Sequence, residues 1–276
     1  MPDATSSDAS ATDVPATDAG PPAGPAVVAP ASDSDAPEGS AAPESAGGKV
    51  LHLADERSVR DLEEFASRAR RVADTGMRLT VAAPATAGRP PLLAQWVSVL
   101  QPAGLGDAVP VVLGLRTVPL ASASGVEGLD VVVPLAAVGE RTARMRSAAG
   151  EQARAFTLPP TREQVAWTAL TPPRSGWQVR AEVGEDELLE VARLGAEAVR
   201  DALPQDPGEA LVRRVRAQVW SPALGGEVSF PAGMAFGAHA LGFLRPGGRA
   251  RVAVNGPWRR LDTPGGFVLG RAAVGV

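Results

Sequence analysis

The 276-residue chain has no cysteine, no tyrosine and no isoleucine, and it has one asparagine (Asn255), one lysine (Lys49) and two histidines (His52 and His239). The missing thiols exclude disulfides, thiolate metal ligands and a cysteine nucleophile together. They say nothing about redox compartment, because a protein without thiols tolerates either environment. Two histidines leave no basis for a histidine-rich metal centre, although carboxylates and waters can still hold a cation. The scarce residues are those with A/T-rich codons, so the 26 arginines against one lysine read as genomic bias before they read as guanidinium chemistry.

Long hydrophobic runs are missing as well. The longest uncharged apolar run is "FPAGMAFGAHALGFL", residues 230–244. At 15 residues with several glycines it falls short of the roughly 18–20 apolar residues a spanning helix needs. The N-terminus has no basic n-region, and "PAVVAP" is too short for a signal-peptide core. A cytoplasmic protein without a membrane partner is expected. There is no G-x-S-x-G elbow, no Walker lysine loop, no H-E-x-x-H and no EF-hand loop. No cofactor and no catalytic residue is assigned.

The net charge of −4 hides an asymmetry. Residues 1–48 hold eight acidic residues and no basic one, in an Ala/Pro/Asp/Ser-rich stretch without aromatics. Such a segment cannot bury enough apolar surface to offset chain entropy, so 1–48 is expected to be a disordered acidic tail and 49–276 the globular domain. Within that domain, 184–210 is acidic, while 211–276 carries nine arginines against Glu227 and Asp262.

Periodicity divides 49–276 into elements. Strands are expected at 49–54, 77–83, 92–100, 109–120, 129–135, 165–170 and 177–183, with a closing antiparallel meander at 250–254, 258–262 and 267–272. Helices are expected at 58–76, with a capping-box-like start at Ser58 and Asp61, after Pro134, at 185–203 and at 208–220. Residues 147–163 are the one candidate seam between lobes. Helices mixed with hairpin-connected strands give an α+β class with mainly antiparallel strands and about five helices.

The fifth helix is the run at 231–244. Stepping 100° per residue puts Met234, Ala238 and Leu241 on one face and Phe236, His239, Ala240 and Phe243 on the other, so the helix is expected to be buried on most sides. Gly233 and Gly237 each weaken helix propensity by ~1 kcal/mol relative to Ala, a cost understandable where another backbone comes close. His239 then reads as a core histidine, with a ligand-binding role as the alternative.

The most site-like loop is "TPPRSGW", residues 171–177. The proline pair stiffens it, Arg174 offers a planar donor fork, Ser175 a hydroxyl, and Trp177 a stacking face. The competing reading is a rigid turn whose arginine is tied to an acidic neighbour. The five tryptophans are too evenly spaced along the chain to define a stacking platform by themselves.

Four segments, "VLGLR" (112–116), "TPPRSGW" (171–177), "PAGMAFGAHALGFL" (231–244) and "PWRRLDTPGGFVLGR" (257–271), resemble an uncharacterised protein family of high-GC Gram-positive bacteria. The resemblance implies a bacterial cytoplasmic protein and no particular activity. The chain is thus read as a non-catalytic protein binding a protein partner or a small ligand. One alternative is an enzyme or small-molecule binder holding an anionic group with the 171–177 loop, through Arg174, Ser175, Trp177 and His239. The other is nucleic-acid binding through the basic 211–276 region, which lacks any accompanying recognition motif.

Overall fold

The computed structural model describes residues 48–82, 88–104, 106–160, 163–226 and 228–272. The proposed acidic tail, apart from residue 48, lies outside the described residues. In chain order the elements are β1 (Val50–His52), α1 (Glu56–Val72), β2 (Met77–Ala82), β3 (Leu92–Leu100), β4 (Val111–Pro119), β5 (Asp130–Val133), α2 (Leu135–Arg146), β6 (Ala155–Thr157), β7 (Gln178–Gly184), α3 (Glu185–Ala202), α4 (Glu209–Trp220), β8 (Ala223–Leu224), β9 (Phe230–Pro231), α5 (Gly233–Ala240), β10 (Arg249–Asn255), β11 (Trp258–Thr263) and β12 (Gly266–Arg271). This is an α+β fold whose strands pair antiparallel throughout the described residues.

Eight strands form one sheet in the order β5-β2-β3-β4-β12-β11-β10-β7. The order reads as two matching halves: a meander β2-β3-β4 and a meander β10-β11-β12, each flanked by one further strand. They meet at the β4–β12 ladder, where Leu115 faces Phe267, Leu113 faces Leu269 and Val111 faces Arg271. β1 stays outside this sheet and pairs with β6, so the opening β-α-β unit does not share one sheet.

The helices lie against one face. Leu79, Leu93, Val97, Val112, Val252, Leu261 and Val268 project from the strands into a core shared with Leu62 and Phe65 of α1, Leu188 of α3 and Met234 and Ala238 of α5. The helical spacing of Val59, Leu62, Phe65, Ala66 and Ala69 explains why α1 sits as it does, since those five are its buried apolar residues. Phe65 stacks on Phe243 just beyond α5, with ring centroids 5.8 Å apart.

α1 begins two residues earlier than the expected 58–76 helix, and its N-cap lies three residues before Ser58. Asp55 is its N-cap, accepting from the Ser58 N–H at 2.7 Å and from the Ser58 hydroxyl at 2.8 Å. Those two bonds, the backbone one foremost, hold the Asp55 carboxyl below its ordinary value of 3.8. Asp55→Ala should therefore cost about 1 kcal/mol of stability at neutral pH. A carboxyl with a depressed folded pKa stabilises above its unfolded value and ceases to do so as pH falls through the folded one. The gap between variant and parent in urea denaturation should accordingly close below pH 3.8; a gap that stays constant down to pH 2 would show that the carboxylate is not responsible.

α5 departs from expectation on one side. Met234, Ala238 and Leu241 are buried as stepped from sequence, and Ala235 and Gly237 are buried with them. A Cβ on Gly237 would stand 3.0 Å from Val112 of β4, and one on Gly233 would stand 2.6 Å from Leu100 of β3. The glycines do face close neighbours, but these are mainly side chains of the central strands rather than a second backbone, the Trp220 carbonyl oxygen 3.3 Å from the Gly233 Cβ position being the backbone atom in reach. The opposite face is only partly buried: Phe236 is half covered, by a 4.7 Å stack on Trp220, His239 is exposed, and Phe243, which is buried, lies beyond the end of the helix at Ala240. Helical stepping separates two faces but does not say how many layers cover them, and here only one does.

The two halves of the sheet are joined by residues 158–177, and this connection must travel from the β5 edge to the β7 edge. Seven inter-strand gaps span roughly 34 Å. The chain makes the crossing on the face opposite the helices. It leaves β6 through a bond from the Leu158 N–H to the Lys49 carbonyl, touches the β5 edge through the Glu163 N–H and the Val132 carbonyl, and enters β7 at Gln178. The strand expected at 165–170 is a 3-10 turn, Ala166–Ala169. A single segment lying over a sheet face finds no strand edge to pair with, so its polar groups close locally, as in the Leu170 N–H to Trp167 carbonyl bond. We call this crossing segment the strap.

Candidate functional site

Between the strap and the outer face of the sheet lies a cleft. Its position follows from period-two alternation: once one set of strand residues faces the helices, their neighbours must face the strap. Thr80 of β2, Ala94 and Trp96 of β3, Leu115 of β4, Leu269 of β12 and Arg260 of β11 thereby share one surface. The strap adds Pro173, Arg174 and Trp177, and the start of β5 adds Asp130 with Leu129 just before it. The cavity measures about 310 Å3, at the small end of ligand pockets. A side chamber of about 30 Å3 continues beneath the strap beside Arg78, Trp167 and Leu170. That is room for about one water.

The even spacing of the tryptophans along the chain conceals a convergence in space. Trp96, Trp167, Trp177 and Trp258 belong to one outer-face cluster with Val111, Leu113 and Leu269, and Trp220 alone stands in the helix layer. Each indole N–H in the cleft wall already has an acceptor. Trp96 donates to the Thr80 hydroxyl at 3.4 Å and Trp177 to the Pro173 carbonyl at 2.9 Å. Trp167, 2% exposed, donates to the Thr75 carbonyl at 3.0 Å and pins the strap to the α1–β2 turn.

The 171–177 loop is held in shape at two points. The Trp177–Pro173 bond closes it internally, and the Asn255 amide donates to the Ser175 carbonyl at 2.8 Å. Gly176 sits at φ +78°, a conformation that L side chains seldom adopt, which accounts for glycine between Ser175 and Trp177.

Three guanidinium groups reach the cleft or its side chamber, in different states. Arg78 forms a two-pronged pair with Asp130, 2.7 Å from Nε and 2.6 Å from Nη2, and reaches the Thr168 carbonyl at 3.4 Å. That hydrogen-bonded pair lowers the Asp130 carboxyl from its ordinary value, with a smaller contribution from the charge of Arg174. Arg260 is paired with the buried carboxylate of Asp262, its Nη2 at 2.8 Å, and lies over the rings of Trp177 and Phe267 at 4.7 and 5.3 Å. Arg174 is exposed and has no hydrogen bond or ion pair among the described residues. The alternative expected from sequence, an arginine tied to an acidic neighbour, describes Arg78 and Arg260 instead.

Of the four residues singled out in the sequence, the structure brings Arg174 and Trp177 together in the cavity wall. Ser175 contributes its carbonyl to Asn255 and does not line the cavity. His239 stands on the helix layer, across the sheet from the cleft, and takes no part in it. Among the described residues no group of three or more His, Asp or Glu side chains is placed to hold a metal ion, and no helix is long and apolar enough to cross a membrane. Of the arginines of 211–276, Arg213 pairs with Glu209 on α4, Arg249 with Glu182 across β10 and β7, and Arg259 donates to carbonyls.

Residues 47–167 match a family model described as Domain of unknown function (DUF8010), and residues 172–275 match Domain of unknown function (DUF8185). The two matches divide the chain inside the strap, between the halves of the sheet. They fit the resemblance to an uncharacterised family and do not specify a bacterial group. No curated protein matches the sequence. Among solved structures, the chain is similar to a putative DNA polymerase III beta subunit from Eubacterium rectale, with 6% identity, a TM-score of 0.44, and coverage of 83% of this chain and 66% of that one. It is also similar to the beta sliding clamp of Caulobacter crescentus (13% identity, TM-score 0.45, 84% and 67% covered). A third is the DNA polymerase III beta subunit of Thermotoga maritima (15%, 0.43, 83% and 66%). The chain thus spans about two thirds of the length of these proteins.

Proposed function

We propose that this is a non-catalytic binding protein of the cytoplasm that holds a small anionic ligand in the cleft between strap and sheet. One observation carries the reading: Arg174 presents at the cavity wall a guanidinium with no hydrogen bond or ion pair among the described residues, while the other arginines there are already paired. A planar fork of N–H donors on a loop pinned at both ends suits an anion better than a mobile surface arginine would. The neighbouring indoles and the Leu115 and Leu269 floor supply the apolar part of a ligand site.

A protein partner is the second reading, supported by Leu194 on α3 and Leu211 on α4, which stand 50% and 38% exposed. Native mass spectrometry of protein purified without added ligand separates the two. A small-molecule adduct that disappears in Arg174→Ala supports the cleft. An adduct retained unchanged in that variant, or a bare chain that binds no anionic probe, would remove the reading and leave the exposed helical leucines as the place to look.

A further inference from the structure

Resting on that reading, the chemistry of the cleft narrows the ligand further: we infer that it takes a planar aromatic monocarboxylate of one or two rings. Charge comes first. The ionised groups that line the cavity and its side chamber are Arg78, Arg174, Arg260 and Asp130; Asp130 is taken by Arg78 and Arg260 by the adjoining Asp262, while Glu163 lines a separate hollow with the Arg78–Asp130 pair. One positive charge is left over, which matches one negative charge. A dianionic phosphate would be half compensated and would face the Asp130 carboxylate on the β5 side of the cavity.

Donor supply points the same way. Phosphate sites draw on several backbone N–H groups, commonly at a helix N-terminus. Here the helices occupy the opposite face of the sheet, and the N–H groups of the floor strands are spent in the ladders. A single guanidinium fork is the geometry of a carboxylate.

The body of the ligand follows from the indoles. Trp96 and Trp177 have already given their N–H groups to Thr80 and Pro173. What they offer the cavity is ring surface, and Ala94, Leu115 and Leu269 offer only hydrocarbon. A flat aromatic body exploits that lining through stacking, which an equally apolar saturated ring does less well. The volume of about 310 Å3 limits the body to one or two rings.

The test is calorimetric titration of the full chain with four probes: 2-naphthoate, 2-naphthyl phosphate, cyclohexanecarboxylate and 2-naphthylmethanol. 2-Naphthoate should bind best, by tenfold or more over each of the others. Arg174→Ala should weaken it at least tenfold, and Arg174→Lys should restore only part of the loss, because an ammonium keeps the charge without the fork. Circular dichroism of both variants, unchanged from the parent, keeps a folding defect from imitating the result. Naphthyl phosphate or cyclohexanecarboxylate binding as tightly as naphthoate, with the same dependence on Arg174, would overturn the ligand class and leave the anion site standing. No probe binding at millimolar concentration, or binding indifferent to Arg174, would overturn both.

Discussion

Trp167→Ala should cost about 3–5 kcal/mol of unfolding free energy, the range for deleting a fully enclosed large aromatic. Trp167 combines near-complete burial with a side-chain hydrogen bond to a distant element, its indole N–H meeting the Thr75 carbonyl at 3.0 Å. Truncation removes the ring from among Val111, Leu113, Trp258 and Leu269 and leaves that carbonyl without its donor. Trp167→Phe separates the two contributions. It keeps most of the ring and loses the bond, so it should cost a fraction of the alanine loss, with about 1 kcal/mol of it from the missing hydrogen bond. Because the strap also forms one wall of the cleft, ligand binding should weaken in the alanine variant under conditions where the chain is still folded. Urea denaturation of the three proteins measures the first effect. A loss below 1 kcal/mol for Trp167→Ala would mean that the strap is held by its ends alone.

Much of the secondary structure was legible because it is written locally. α1, α3, α4 and the closing meander each announce themselves through apolar spacing within one window and a turn signal at its end, such as Asn255–Gly256 between β10 and β11. Strand order was not legible. Nothing within 109–120 says that β4 pairs on its far side with β12, some 150 residues on, because the pairing is decided by which apolar faces remain uncovered after the hairpins have closed. The strap failed for a related reason. "VAWTAL" has strand composition, yet a segment crossing a sheet over its face has no edge to join, and tertiary context overrides propensity.

The candidate site shows the same division. Arg174 and Trp177 stood out because stiff backbone, a donor fork and an aromatic ring fall within seven residues. Thr80, Trp96, Asp130 and Arg260 did not, because only sheet register assembles them. A partial signal existed in the alternation of β3: with Leu93, Val97 and Val99 assigned to the core, Trp96 is left facing outward. His239 misled because a histidine between phenylalanines on a 3.6-residue repeat looks the same whether one layer or two cover the helix.

Gly265→Ala and Gly256→Ala make a matched pair in which packing and backbone strain can be told apart. Both glycines lie in tight hairpin turns of the same meander, next to β11. Gly256 adopts φ +53° with nothing within 4 Å of the place its Cβ would take, so alanine there meets strain alone and should cost about 1 kcal/mol. Gly265 does not need a positive φ, but its Cβ would stand 2.7 Å from the Phe243 Cα and 2.9 Å from its carbonyl oxygen. Those are backbone atoms at the exit of α5, where Phe243 is itself locked in its stack on Phe65. They cannot swing aside as a side-chain tip would, so Gly265→Ala should cost 1–3 kcal/mol or more through displacement of one element. The displaced element matters for the cleft: the β11–β12 hairpin carries Arg260, Phe267 and Leu269, and moving it shifts the cation that lies over Trp177. Ligand affinity should therefore fall in Gly265→Ala and hold in Gly256→Ala, even when both are measured well below their melting temperatures. Equal losses of stability in the two variants would contradict the close approach of Phe243, and equal affinities would show that the hairpin does not set the shape of the cleft.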